Sequence, residues 1–177
     1  MTDFGFSPGP GVVRFERLLP GPIERVWAYL TESDKRARWF AGGELELRPG
    51  GHAEINFRHA QLSDVADPAP EKYAEMNATG FQSTGTIREV DPPRRLSFDW
   101  HETHGPATLV TFELSQEGDK VRLVLIHSDL PSRELMVDVS GGWHSHLAQL
   151  EDELAGRPRG PFWARHQELE GVYESRL

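Results

Sequence analysis

The stretch Gly85–Trp100, GTIREVDPPRRLSFDW, decides the fold. Pro92 and Pro93 have no N–H to give a strand ladder, so the chain turns at Asp91-Pro92-Pro93-Arg94. The flanks read as strands over Thr84–Val90 and Arg95–Glu102. On the second strand Leu96, Phe98, Trp100 and Glu102 share one face, and Arg95, Ser97, Asp99 and His101 the other. This period-two alternation is that of an antiparallel strand with one covered face. The covered row ends in a carboxylate, Glu102, which predicts a cavity at that end instead of solid core.

The same pattern extends outward. Ala107–Leu114 points Val110, Phe112 and Leu114 one way. After a Gly118-Asp119 turn, Lys120–Ser128 aligns Val121, Leu123, Leu125 and His127. Upstream, Val12–Leu19, Glu44–Arg48 and His52–His59 read as strands, the last with Ala53, Ile55 and Phe57 inward. Pro22 opens a helix carrying Ile23, Val26, Trp27 and Leu30 at helical spacing. A second short helix, Ser33–Phe40, starts on a Ser cap. Residues 1–11, rich in Gly and Pro, read as a loose arm. Gln61–Gly80 lacks periodicity and reads as a long irregular flap.

Leu135, Val139, Trp143, Leu147, Leu150 and Leu154 step by three or four, giving a long helix stopped by Gly156 and Pro158. Gly141-Gly142 interrupts it. Either the regular helix starts there, or the backbone passes close to something. Phe162–Tyr173 reads as a short tail helix whose aromatics are exposed unless they dock. A dimer would cover them. The expectation is an α+β domain over residues 12–156. A curved antiparallel sheet of six to seven strands wraps one long C-terminal helix, with a cavity between them and an extension over 157–177.

With 177 residues and a net charge of −9, the chain is sized for one core and ill suited to a phosphate backbone. No cysteine is present, which excludes disulfides and thiol chemistry. No signal peptide or membrane-length apolar run appears, so a cytoplasmic location is expected.

Val26-Trp27, Trp39-Phe40, Pro49-Gly50-Gly51, Gly85 through Asp91-Pro92-Pro93-Arg94-Arg95-Leu96 to Trp100, the strand ending at His127, and Gly142-Trp143 occur in a characteristic order. In this the chain resembles the START-like (SRPBCC) superfamily with its helix-grip fold. Within it, the chain looks like the relatives of the C-terminal domain of activators of heat-shock protein 90 ATPase. The resemblance implies a ligand-binding or chaperone-associated domain in a functionally diverse superfamily. Gln61–Gly80 and the tail after Gly160 exceed the family pattern.

Trp39, Phe57, Trp100, Trp143 and Leu147 are the candidate walls of the cavity, with His146 one turn from Trp143. Glu102 and His127 are candidate polar handles, and in an enzyme they would be an acid–base couple. A metal site from His101 and His104, with His144 and His146 as further ligands, is not expected, because His101 points away from the cavity and the two strand histidines differ in face or lie beyond the strand's end. No phosphate loop or dinucleotide fingerprint is present, so no cofactor is expected. The leading expectation is a binder of an apolar or aromatic small molecule, or a lipid. The alternatives are a chaperone-ATPase activator or stress-response protein, and a cyclase-like or hydrolase-like enzyme using Glu102 and His127.

Overall fold

The computed structural model describes residues 3–101 and 105–177. Seven strands form one antiparallel sheet: β1 (Phe6–Gly9), β2 (Val12–Pro20), β3 (His52–Phe57), β4 (Phe81–Asp91), β5 (Arg95–His101), β6 (Thr108–Glu117) and β7 (Lys120–Ser128). Their order is β1-β2-β7-β6-β5-β4-β3. Helices α1 (Ile23–Thr31) and α2 (Ser33–Arg36) follow β2, and α3 (Ala74–Thr79) precedes β4. The long α4 (Arg133–Leu154) and then α5 (Phe162–Arg176) end the chain. None of the described helices is long and apolar enough to cross a membrane.

The β4–β5 hairpin pairs Gly85 with Trp100 and Ile87 with Phe98. A register shift between Ile87 and Glu89 then sets Val90 opposite Leu96. Gly85 is required here: a Cβ on it would lie 1.9 Å from the Asp99 carbonyl oxygen. Leu96, Phe98 and Trp100 enter the core as their alternation predicts. The opposite row is less solvated than expected. Asp99 is buried, accepting from the Thr86 amide at 2.8 Å and pairing with Arg88. Trp143, Leu147, Leu150 and Leu154 of α4 close the same core.

Four expectations are corrected. The N-terminal arm is not loose along its length, because Phe6–Gly9 pairs with β2 and the Gly5 amide donates to the Tyr173 hydroxyl at 2.8 Å. Residues 44–48 do not form a full strand. They meet β3 at the Leu45–Ala53 bridge and through two backbone hydrogen bonds, from the Glu46 amide to the His52 carbonyl and from the Glu54 amide to the Glu44 carbonyl at 2.9 Å each. The regular helix predicted over Ser33–Phe40 stops at Arg36, whose guanidinium turns back onto the carbonyls of Thr31 and Ala41. Finally, 61–80 is not a structureless flap. It holds the turn Glu71–Tyr73 and α3, packed against α5.

Helix α4 runs unbroken through Gly141-Gly142 from a cap in which Ser132 Oγ accepts from the Leu135 amide at 3.1 Å. Gly141 faces α5: a Cβ there would sit 3.8 Å from His166 Nε2 and 3.9 Å from the Glu170 amide nitrogen. Phe162, Trp163, Leu169 and Tyr173 of α5 are buried against their own chain. That removes the exposed aromatic tail as a reason for a dimer.

Candidate functional site

A cavity of about 240 Å³ opens between the β3–β5 end of the sheet and α4. It exceeds the roughly 150 Å³ that holds a benzene ring. The sheet side supplies Phe57, Phe81 and Trp100, and α4 supplies Val139, Gly142, Trp143 and His146. Phe40 enters from the loop after α2, Tyr73 and Met76 from residues 61–80, and Phe162, Trp163 and His166 from α5. Residues 61–80 and α5 therefore build one side of the cavity together.

Aromatic packing fixes the walls. Phe57 stacks on Trp100 with centroids 5.8 Å apart, Phe40 on Trp143 at 4.9 Å, and Tyr73 on Trp163 at 4.9 Å. The indole N–H groups are all satisfied within the protein. Trp100 donates to Ser83 Oγ at 2.7 Å, Trp163 to Asn77 Oδ1 at 2.8 Å, and Trp143 to His127 Nδ1 at 3.0 Å. The rings are thus held in place as rigid apolar plates.

The polar groups of the cavity are three imidazoles, one carboxylate and the Tyr73 hydroxyl, besides the indole N–H groups. His146 donates from Nδ1 to the Trp39 carbonyl at 2.9 Å. His59 stacks on Phe57 at 5.4 Å and lies 5.0 Å from the Trp163 ring, measured between centroids. His166 Nδ1 lies 3.6 Å from Glu170 Oε1. The Nδ1 atoms of His59 and His166 have no hydrogen-bond partner among the described residues. Desolvation holds all three below the ordinary histidine range: His59 at about 4, where His166 also lowers it, and His146 well below. Asp138 stands exposed at the mouth.

The sequence-predicted candidates separate. Phe57, Trp100, Trp143 and His146 meet at this cavity. Trp39 and Leu147 are wholly buried and back the wall without reaching it. Trp39 instead donates its indole N–H to the Tyr29 carbonyl at 2.8 Å.

His127 faces a separate small pocket of about 50 Å³ with Thr108, Leu130 and Leu135. Its Nδ1 accepts from Trp143, so its proton sits on Nε2 and is donated to Thr108 Oγ1 at 2.7 Å. With 1% exposure, burial lowers its pKa to about 3. A neutral imidazole with both nitrogens engaged has none free for a ligand or for proton transfer near pH 7. Glu102 and His104 lie outside the described residues. His101 points to the outer face beside Asp99, at 3.2 Å, and His144 Nδ1 meets the Tyr173 hydroxyl at 2.8 Å. Neither lines the cavity.

Sequence reasoning missed Phe40, His59, Tyr73, Met76, Phe81, Asp138, Val139, Phe162, Trp163 and His166 as lining residues. For His59 a signal existed. It continues the inward row Ala53, Ile55, Phe57 just as His127 continues that of β7. For Tyr73, Trp163 and His166 there was none, because their placement depends on two distant segments docking on each other.

The pattern defining the Activator of Hsp90 ATPase homolog 1-like proteins matches residues 20–155. A Bordetella parapertussis protein solved by NMR is 46% identical with a TM-score of 0.82, and the match covers 99% of this chain and 93% of that one. CalU16 from Micromonospora echinospora, a crystal structure, is 25% identical over 93% of this chain and 86% of its own, with a TM-score of 0.69. An Enterococcus faecalis protein at 18% identity shares the fold, with a TM-score of 0.66 over 99% of this chain and 90% of that one. No curated protein matches the chain. With residues 20–155 fitting the pattern and the sheet gripping α4, the chain belongs to the Activator of Hsp90 ATPase homolog 1-like family, within the START-like superfamily.

Proposed function

We propose that the protein encloses a small aromatic molecule in the cavity between the sheet and α4. The observation that carries this reading is the lining itself: eight aromatic side chains besides the histidines around a space larger than one benzene ring. Phe57, Trp100 and Trp143 contact the ligand, and His146 orients it. Trp39 and Leu147 stiffen the wall from behind. Because hydrogen bonds within the protein hold the indoles, little side-chain order is lost when a ligand enters.

The test is titration with indole, read by tryptophan fluorescence and by amide chemical shifts. Saturable binding is expected, with shifts confined to residues around Trp100, Gly142 and Trp163. Absence of saturation, or shifts scattered over the surface, would sink the reading.

A second reading, modulation of a chaperone ATPase, has the family match in its favour. It is decided by measuring the chaperone's ATPase rate with and without this protein. No change in rate removes it.

A further inference from the structure

The polar groups of the cavity are mostly acceptors. The Trp39 carbonyl can only accept, so the 2.9 Å contact places the His146 proton on Nδ1 and leaves a lone pair on Nε2, the edge turned away from Trp39. His146 is 5% exposed, and no described residue bonds that edge. His166 Nδ1 has no hydrogen-bond partner among the described residues and lies 3.6 Å from Glu170 Oε1, so this neutral imidazole can present a lone pair as well. Asp138 adds a carboxylate at the mouth, while the Tyr73 hydroxyl is already engaged with Glu170 at 3.2 Å.

No Lys or Arg lines the cavity among the described residues. Lys72, beside the mouth, is paired with Glu170 at 2.7 Å. The adjoining groove between α4 and α5 carries Glu134, Asp138, Glu170 and Glu174. The buried imidazoles remain neutral, as their depressed pKa values require, and so do not repel a positive charge. The faces of Trp163, Trp100 and Phe57 attract one.

We infer that the cavity takes a protonated aromatic amine, its ring between Phe57, Trp100 and Trp143 and its ammonium donating toward His146, His166 and Asp138. This rests on the ligand-binding reading and names the chemical class. An anion would meet the His146 lone pair and the Asp138 carboxylate, with only neutral imidazole N–H groups such as that of His59 to donate to it. A neutral alcohol could donate to one imidazole but would gain nothing from Asp138.

Three probes of one shape decide it at neutral pH: 3-phenylpropan-1-amine, 3-phenylpropan-1-ol and 3-phenylpropanoate, titrated by calorimetry and tryptophan fluorescence. The amine is expected to bind about tenfold or more tighter than the alcohol, with the acid weakest. In Asp138→Asn, a change at an exposed site that the fold tolerates, the amine's advantage over the alcohol should fall severalfold. An alcohol or acid that binds as tightly as the amine overturns the amine assignment and leaves the ligand-binding reading intact. An amine advantage unaltered in Asp138→Asn likewise overturns the assignment. No binding by any of the three overturns both.

Discussion

His127 spends both ring nitrogens inside the protein, on Trp143 and Thr108. Replacing it with Leu leaves an indole N–H and a hydroxyl unpaired in the core, at a cost of about 2–4 kcal/mol. The substitution also changes the response to pH. Above pH 7 the imidazole is neutral in both folded and unfolded chains and adds no pH dependence. Below about 6.5 the unfolded chain takes up a proton that buried His127 refuses until pH nears 3. Stability therefore falls as pH drops through that window. His59 and His144, held at about 4, and His146 act in the same direction. Urea unfolding at pH 7 and pH 5 checks this. His127→Leu should be less stable at pH 7, yet should lose about 1–2 kcal/mol less between the two pH values. An unchanged difference between the two pH values would mean that His127 is not the neutral core group described.

At the scale of elements, helix α4 carries the clearest test. A Cβ at Gly142 would meet nothing within 4 Å, because it projects into the cavity. Gly142→Ala should therefore stabilise the protein by up to about 1 kcal/mol through helix propensity. Gly142→Leu should fold as well but occupy the space and abolish indole binding. Thermal unfolding and fluorescence titration report the two effects separately, and retained indole affinity in Gly142→Leu would place the ligand elsewhere. The long helix was legible in the sequence because its apolar residues repeat at helical spacing over 20 positions from Leu135 to Leu154. The hairpin was legible because two prolines leave the chain one way to turn. The start of α4 was ambiguous, since two adjacent glycines lower helix propensity, yet the helix runs through both. The strand expected over 44–48 failed because alternation of Leu45 and Leu47 fixes a face but not a ladder. The segment keeps one bridge, Leu45–Ala53, and the flanking Glu46–His52 and Glu54–Glu44 backbone hydrogen bonds, short of a regular strand.

In the whole molecule, a third of the lining (Tyr73, Met76, Phe162, Trp163 and His166) was out of reach of sequence because it depends on how residues 61–80 and α5 meet. Trp100 and Trp143 could be placed from local periodicity. Trp163 and Tyr73 are brought together by a clamp formed over long chain separations. Buried Arg159 donates to both Asp64 oxygens at 2.8 and 3.1 Å, to the Arg38 carbonyl at 2.6 Å and to the Gln61 carbonyl at 3.0 Å. A guanidinium fork can meet a carboxylate and two carbonyls at once, which an ammonium cannot. Gln149 reinforces the clamp, donating to the Leu62 and Gly160 carbonyls at 2.8 Å each.

Arg159→Met should therefore cost about 2–4 kcal/mol, with the loss concentrated in the two segments. Hydrogen exchange should rise about tenfold or more over residues 61–80 and α5, while amides of β5–β7 keep their protection. Indole affinity should fall as Tyr73, Met76 and Trp163 lose their positions. The Arg159 hydrogen bonds hold the Asp64 carboxyl down at about 2, so its contribution is present above pH 4 and is lost only as pH falls through 2. The difference between wild type and Arg159→Met should accordingly be the same at pH 7 and pH 5, in contrast to the histidine-linked loss. A uniform loss of protection across the sheet, or a difference that shrinks by pH 5, would show that the two segments are not a separable wall built onto the grip.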